Sequence, residues 1–220
     1  VSGSPNNETG NANVTQMFTS GYWDDVVDCG ATSYAIEFGQ WYNVCETCEY
    51  TTIQAAVDDA SEVETIYVDE GIYTSVDGEF LVDLQSKDIS IVGAGSEHTI
   101  LDGQYAVSGL NYTFGVSGNA LLEGITIQHC VDREGAAVSI SNGALRMFNC
   151  VVTTNQASES GQSGGGVTAS GGATLSVERC EFTENAAVQF GGAIYLVGSG
   201  TSATLTDCLF ANNESAVGGA

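Results

Sequence analysis

The chain has 220 residues, and its 28 Asp and Glu against 4 Lys and Arg give a formal net charge of −24. So few cations cannot neutralise a phosphate backbone, which excludes nucleic acid as a partner. A hydrophobic fraction of 43% supports a core, and the abundance of glycine (28 residues, against one proline) together with Thr, Val and Ser favours β structure with many tight turns.

Residues 1–47 read as an irregular N-terminal arm or cap. They carry the sequons Asn7-Glu-Thr9 and Asn13-Val-Thr15 and cluster Tyr22, Trp23, Tyr34, Phe38, Trp41 and Tyr42 with Cys29 and Cys45. The reading is a disulfide-tied cap, with Cys29 joined to Cys45 or Cys48; an aromatic docking surface is the alternative. Seven cysteines without metal-site spacing, four sequons and Val1 as first residue point to a processed, extracellular or cell-surface chain. N-linked glycans are expected at Asn7, Asn13 and Asn111. No run of about 18 apolar residues exists, so no membrane span is expected. Cys45-Glu-Thr-Cys48 lacks the βαβ setting of a redox pair and reads as a structural disulfide.

From residue 48 to 220 the chain reads as one solenoid. Thr51–Ser61 places Ile53, Ala56, Val57 and Ala60 on one helical face, a short amphipathic helix suited to closing the N-terminal end of a coil. Strand-like pieces follow at Thr65–Val68, Phe80–Val82, Ile89–Ile91 and Thr99–Leu101. Beyond them a repeat of 27 to 29 residues emerges: Gly135-Ala-Ala-Val138, Gly164-Gly-Gly-Val167, Gly191-Gly-Ala-Ile194 and Gly218-Gly-Ala220 form one column. Cys130, Cys150, Cys180 and Cys208 are aligned in a second. Val152-x-x-Asn155, Phe182-x-x-Asn185 and Phe210-x-x-Asn213 recur between them, and each repeat contains three short apolar pieces.

Three strands per turn, bent at Gly and Asn corners, give an all-β fold: a right-handed parallel β-helix of three sheets with a short N-terminal capping helix. Turns spaced about 4.8 Å apart stack Asn155, Asn185 and Asn213 into an amide ladder. The same spacing allows disulfides between Cys130 and Cys150 or between Cys180 and Cys208; a buried thiol ladder is the alternative. Asn213 lies in a sequon, but a ladder amide points into the coil, so it is expected to stay unmodified. The coil is expected to continue past Gly218-Gly-Ala220, by more chain or by another subunit.

The stretch TIQAAVDDASEVETIYVDEGIY resembles the entry segment of pectate lyase-like right-handed β-helix proteins, and GGAI with FTEN resembles the repeat of the polymorphic outer membrane protein family. These resemblances cover roughly residues 50–220 and imply the fold. The aspartate, Gly-His-Gly and Arg-Ile-Lys strings of the related lyases and polygalacturonases do not occur, and after Gly71-Ile-Tyr73 the acid of the pectin esterase pattern is replaced by Thr74.

Column by column, the repeats line up Thr126, Arg146, Ser176 and Thr204; then Gln128, Phe148, Glu178 and Thr206; then His129, Asn149, Arg179 and Asp207, with Arg179 and Asp207 as a surface ion pair. Ser139, Thr168 and Tyr195 offer hydroxyls without a base. No carboxylate pair for glycoside hydrolysis emerges. Asp24-Asp25 and Asp58-Asp59 lack calcium-loop spacing, and His98 and His129 lack metal-spaced companions. No catalytic, metal or cofactor residues are therefore expected. The expected function is a non-enzymatic structural or surface-display element, such as a fibre subunit that self-associates or binds another extracellular subunit. A polysaccharide lyase or hydrolase and a carbohydrate-binding adhesin are the alternatives.

Overall fold

The computed structural model describes residues 42–61, 64–75, 79–113, 118–132, 135–158 and 163–217, together with three strands nearer the N-terminus. Those three, Gln16–Met17, Trp23–Asp28 and Ser33–Glu37, form an antiparallel sheet in chain order, with Val27 opposite Tyr34. The arm is thus not wholly irregular. Asn7, Asn13 and Cys29 lie outside the described residues. A second compact unit begins at Tyr42 rather than at residue 48.

That second unit is a parallel β-solenoid of about six turns. A seven-stranded sheet runs through Tyr42–Val44, Thr65–Val68, Ser90–Gly93, Asn119–Glu123, Ala144–Phe148, Thr174–Glu178 and Ser202–Thr206. A six-stranded sheet follows through Gly71–Tyr73, Thr99–Asp102, Thr126–Gln128, Val151–Thr153, Glu181–Thr183 and Leu209–Ala211. The third has five strands, Phe80–Asp83, Ser108–Thr113, Val138–Ser141, Val167–Ser170 and Ile194–Leu196. A fourth, four-stranded sheet, which the three-strand pattern did not anticipate, joins Val131–Asp132, Gln156–Ala157, Ala186–Phe190 and Glu214–Val217. Every pairing in these sheets is parallel, because each strand meets the equivalent strand of the next turn.

Alternation in each strand sends one side chain inward and the next outward, so the interior is built of ladders. Ile127, Val152, Phe182 and Phe210 occupy one inward column, and the last two rings stack with centroids 5.1 Å apart. The N-terminal end is covered by the helix Ile53–Asp59, whose Ile53, Ala56 and Val57 are buried, with Ala60 buried just beyond. Thr52 caps it, its hydroxyl accepting from the Ala55 N–H at 3.2 Å. At the other end Lys87 Nζ donates to the carbonyls of Val57, Asp58 and Ala60 at 2.6, 3.1 and 2.9 Å. A cation there satisfies orphan carbonyls and opposes the negative pole of the helix.

The strand register revises the repeat alignment in its first copy. At two successive corners of each turn a residue stands in the left-handed region: Gly124, Asn149, Arg179 and Asp207 at one, and His129, Thr154, Glu184 and Asn212 at the next. Ile125, Cys150, Cys180 and Cys208 follow the first corner, while Cys130, Asn155, Asn185 and Asn213 follow the second. Cys130 therefore stands over Asn155, to which its N–H donates at 2.9 Å, and not over Cys150. A Cys130–Cys150 disulfide is excluded by that displacement. Cys180 and Cys208 do share a column but remain thiols. Each Sγ is turned to the carbonyl two residues before it, at the end of the preceding strand, Glu178 at 3.3 Å and Thr206 at 3.2 Å. The disulfide present joins Cys45 to Cys48 across a tight turn, with Cα atoms 5.0 Å apart, so neither partner is open to Cys29.

The register also moves the outward columns. Leu121 and Glu123, not Thr126 and Gln128, precede Arg146 and Phe148. Arg179 Nε lies 3.8 Å from Glu178, and its guanidinium rests over the Phe148 ring at 5.3 Å, in place of the expected contact with Asp207.

Candidate functional site

Moving Thr126, Gln128 and His129 to the second corner brings them against the turn before, and this creates a polar cluster on the six-stranded sheet. Gln128 pairs in register with Asp102, one turn below. Its Nε2 donates to Asp102 Oδ2 at 2.9 Å, and the Gln104 N–H donates to Oδ1 at 2.8 Å. His129, swung out by its left-handed backbone (φ 52°), sets Nδ1 at 3.1 and 3.2 Å from the two carboxylate oxygens. Burial would raise the Asp102 pKa, but the donors Gln128, Gln104 and His129 outweigh it and hold the carboxyl below its usual range. An ionised carboxylate only accepts, so His129 Nδ1 is the donor of this contact and Nε2 points away from Asp102. Tyr105 packs on the imidazole with centroids 4.7 Å apart and is itself 58% exposed.

The arrangement is an aromatic platform beside an oriented imidazole and a fixed amide. It can stack on an apolar ring face, and it can accept or pass a proton at Nε2. Sequence reasoning missed it because Asp102 lies outside the clear repeats and because His129 was set one corner away. The signal available was Asp102-Gly103 followed 26 residues later by Gln128-His129, a one-turn spacing.

The other residues singled out by the sequence fall as follows. Asn155, Asn185 and Asn213 form one hydrogen-bonded column: Asn155 Nδ2 donates to Asn185 Oδ1 at 2.9 Å and Asn185 Nδ2 to Asn213 Oδ1 at 3.0 Å. Asn213 Nδ2 donates to the Phe182 carbonyl at 2.8 Å. Asn111 sits on the five-stranded sheet with Nδ2 on Asp83 at 3.0 Å. The Cys150 N–H donates to Cys180 Sγ at 3.3 Å, and the contact with Cys180 together with burial drives the Cys150 thiol pKa up. Ser139, Thr168 and Tyr195 share a column. His98 is exposed at a turn.

Two further features lie at the N-terminal end of the solenoid. A cleft of about 400 Å³ is lined by Glu46, Thr52, Glu70, Tyr73, Leu81 and Leu101. Beside it, Cys45, Cys48 and Asp69 bring their Sγ and carboxylate atoms within 4.8 Å of one another. Among the described residues no helix is long and apolar enough to cross a membrane.

Comparison with known proteins gives one family and no individual relative. No curated protein and no solved structure matches the chain. A family model described as right handed beta helix region matches residues 87–219, which span the stacked turns from Lys87 through the asparagine column. With more than half its length in that match and the parallel solenoid behind it, the chain belongs to the right-handed β-helix family.

Proposed function

We propose that this protein is an extracellular, non-enzymatic structural or surface-display element, a unit of a fibre or cell-surface appendage of the kind its polymorphic outer membrane protein-like repeats suggest. The observation that carries the reading is the sameness of the inter-turn bonding. Asn155 N–H to Asn185 Oδ1 at 3.2 Å recurs as Asn185 N–H to Asn213 Oδ1 at 3.1 Å, and the Thr183 hydroxyl bonds that of Thr153 at 2.9 Å. Such ladders stiffen a coil along its axis, which is what a spacer needs. Self-association or an extracellular partner subunit, and glycans at Asn7, Asn13 and Asn111, belong to the same proposal. Electron microscopy and light scattering of the natural material test it: rods or fibres are expected, and a compact, monodisperse monomer overturns it.

A second reading, a carbohydrate-binding adhesin, is favoured by Tyr105 on His129 with Asp102 and Gln128 beside them. Exposed aromatic faces stack on sugar rings, and the imidazole and amide supply hydroxyl partners. On a glycan array the wild type would bind and Tyr105→Ala would not. Release of reducing ends or unsaturated sugar from the bound polysaccharide would convert this reading into the pectate lyase-like enzyme, with His129 as proton acceptor.

A further inference from the structure

We propose that Cys45, Cys48 and Asp69 form a thiol-gated site for a soft divalent cation, zinc or cadmium in chemistry, closed while the disulfide is formed and open when it is reduced. The inference is independent of the structural reading above.

The donors are held together by backbone, not by chance proximity of long side chains. Val44 pairs with Val68 in register, which sets Cys45 beside Asp69 at the ends of two adjacent strands. The Asp69 N–H donates to the Val44 carbonyl at 3.0 Å, and the Asp69 carbonyl accepts from Tyr73 Oη and Thr99 Oγ1, both at 3.1 Å. On the other side, the Cys45 N–H donates to Tyr50 O at 3.1 Å and the Cys48 N–H to Cys45 O at 3.3 Å, so the turn returns both sulfurs to one side. None of those hydrogen bonds uses a sulfur atom.

Two thiolates and a carboxylate around tetrahedral zinc lie about 3.5 to 3.8 Å from one another, given bond lengths of about 2.3 Å to sulfur and 2.0 Å to oxygen. The donor atoms here already fall within 4.8 Å. Small rotations of the side chains complete the set, and the fourth position is left for water. Glu46 and Glu70, next in sequence to Cys45 and Asp69, line the adjoining cleft and add a negative field that attracts a cation.

The gating step is balanced. A dithiol, or two equivalents of a monothiol, reduces the bond and is itself left as a disulfide; two electrons and two protons pass to Cys45 and Cys48. The cation then binds the two thiolates and releases those two protons to solvent. Oxidised sulfurs cannot serve as thiolate ligands, so disulfide and metal exclude each other.

The test is a cadmium titration of the full chain, oxidised and after reduction with the reductant removed, following the ultraviolet thiolate-to-cadmium charge-transfer band. One equivalent per chain is expected in the reduced protein and none in the oxidised. Cys45→Ser with Cys48→Ser should abolish the band although the other cysteines remain. Asp69→Asn should keep it while weakening binding about tenfold or more. Should the double variant fold poorly, the oxidised wild type supplies the same comparison without a mutation. The proposal is overturned if the reduced protein binds no cadmium, if the oxidised form or the double variant binds equally, or if Asp69→Asn leaves the affinity unchanged.

Discussion

Asn185 occupies the centre of the amide column and is fully buried. Its Nδ2 donates to Val152 O at 2.9 Å and to Asn213, and its Oδ1 accepts from both the N–H and the Nδ2 of Asn155. Asn185→Leu keeps the volume but strands those partners where water cannot reach them. A loss of about 3–5 kcal/mol is expected, read as a lower urea midpoint at unchanged slope. An unchanged midpoint would mean that the column does not stabilise the fold. Cys130 sits at the head of the same column, and burial pushes its thiol from the ordinary 9.0 up to about 12. With the folded pKa above the unfolded one, its contribution is complete below about pH 9 and is lost as pH rises toward 12. The stability difference between wild type and Cys130→Ala should therefore be flat from pH 6 to 8 and shrink by about 1.4 kcal/mol per unit above pH 9. A difference that stays constant to pH 11 would show the thiol ionising as freely in the folded as in the unfolded chain.

Among the elements, the capping helix depends on a residue 27 or more positions away. Lys87 gathers three carbonyls at its C-terminal end, so Lys87→Met, which retains the apolar stem, should cost about 1–2 kcal/mol. Hydrogen exchange should quicken first at the Ala56 and Ala60 amides; protection equal to wild type there would remove the cap from the account. The helix itself was legible in the sequence because Ile53, Ala56, Val57 and Ala60 recur at helical spacing ahead of strand-like alternation. The coil and its asparagine column were legible because stacking forces equivalent residues to repeat. What misled was the likeness of the two corners. Both place a left-handed residue before a small inward-facing one, and Cys130 fills at the second corner the kind of slot that Cys150 fills at the first. A cysteine marker alone therefore slips by one strand, and with it went the pairing of His129 and Gln128 with Asp102. The short fourth sheet escaped because Gln156–Ala157 is too brief to alternate. The Cys45–Cys48 bond was legible in its own short spacing, but the placing of Asp69 beside it depends on the register of strands 24 residues apart, which no local pattern reveals.

At the scale of the whole molecule, the charge imbalance is the dominant unpaired quantity. With 28 carboxylates against 4 lysines and arginines, most acids have no cation available to pair with them. Folding concentrates that charge, and the unfolded chain spreads it, so repulsion lowers stability wherever screening is weak. The Debye length falls from about 30 Å at 0.01 M salt to about 8 Å at 0.15 M, which spans the distances between successive turns and across the coil. Raising NaCl over that range should increase the melting temperature by a few °C, since roughly 1 kcal/mol corresponds to about 2–4 °C for a domain of this size. KCl at equal ionic strength should act alike, because screening by monovalent salts does not depend on the ion. A melting temperature that falls or stays level as salt rises would mean that the outer carboxylates are neutralised in the folded state by bound cations or shifted protonation, and that the negative surface is not the repulsive shell its composition describes.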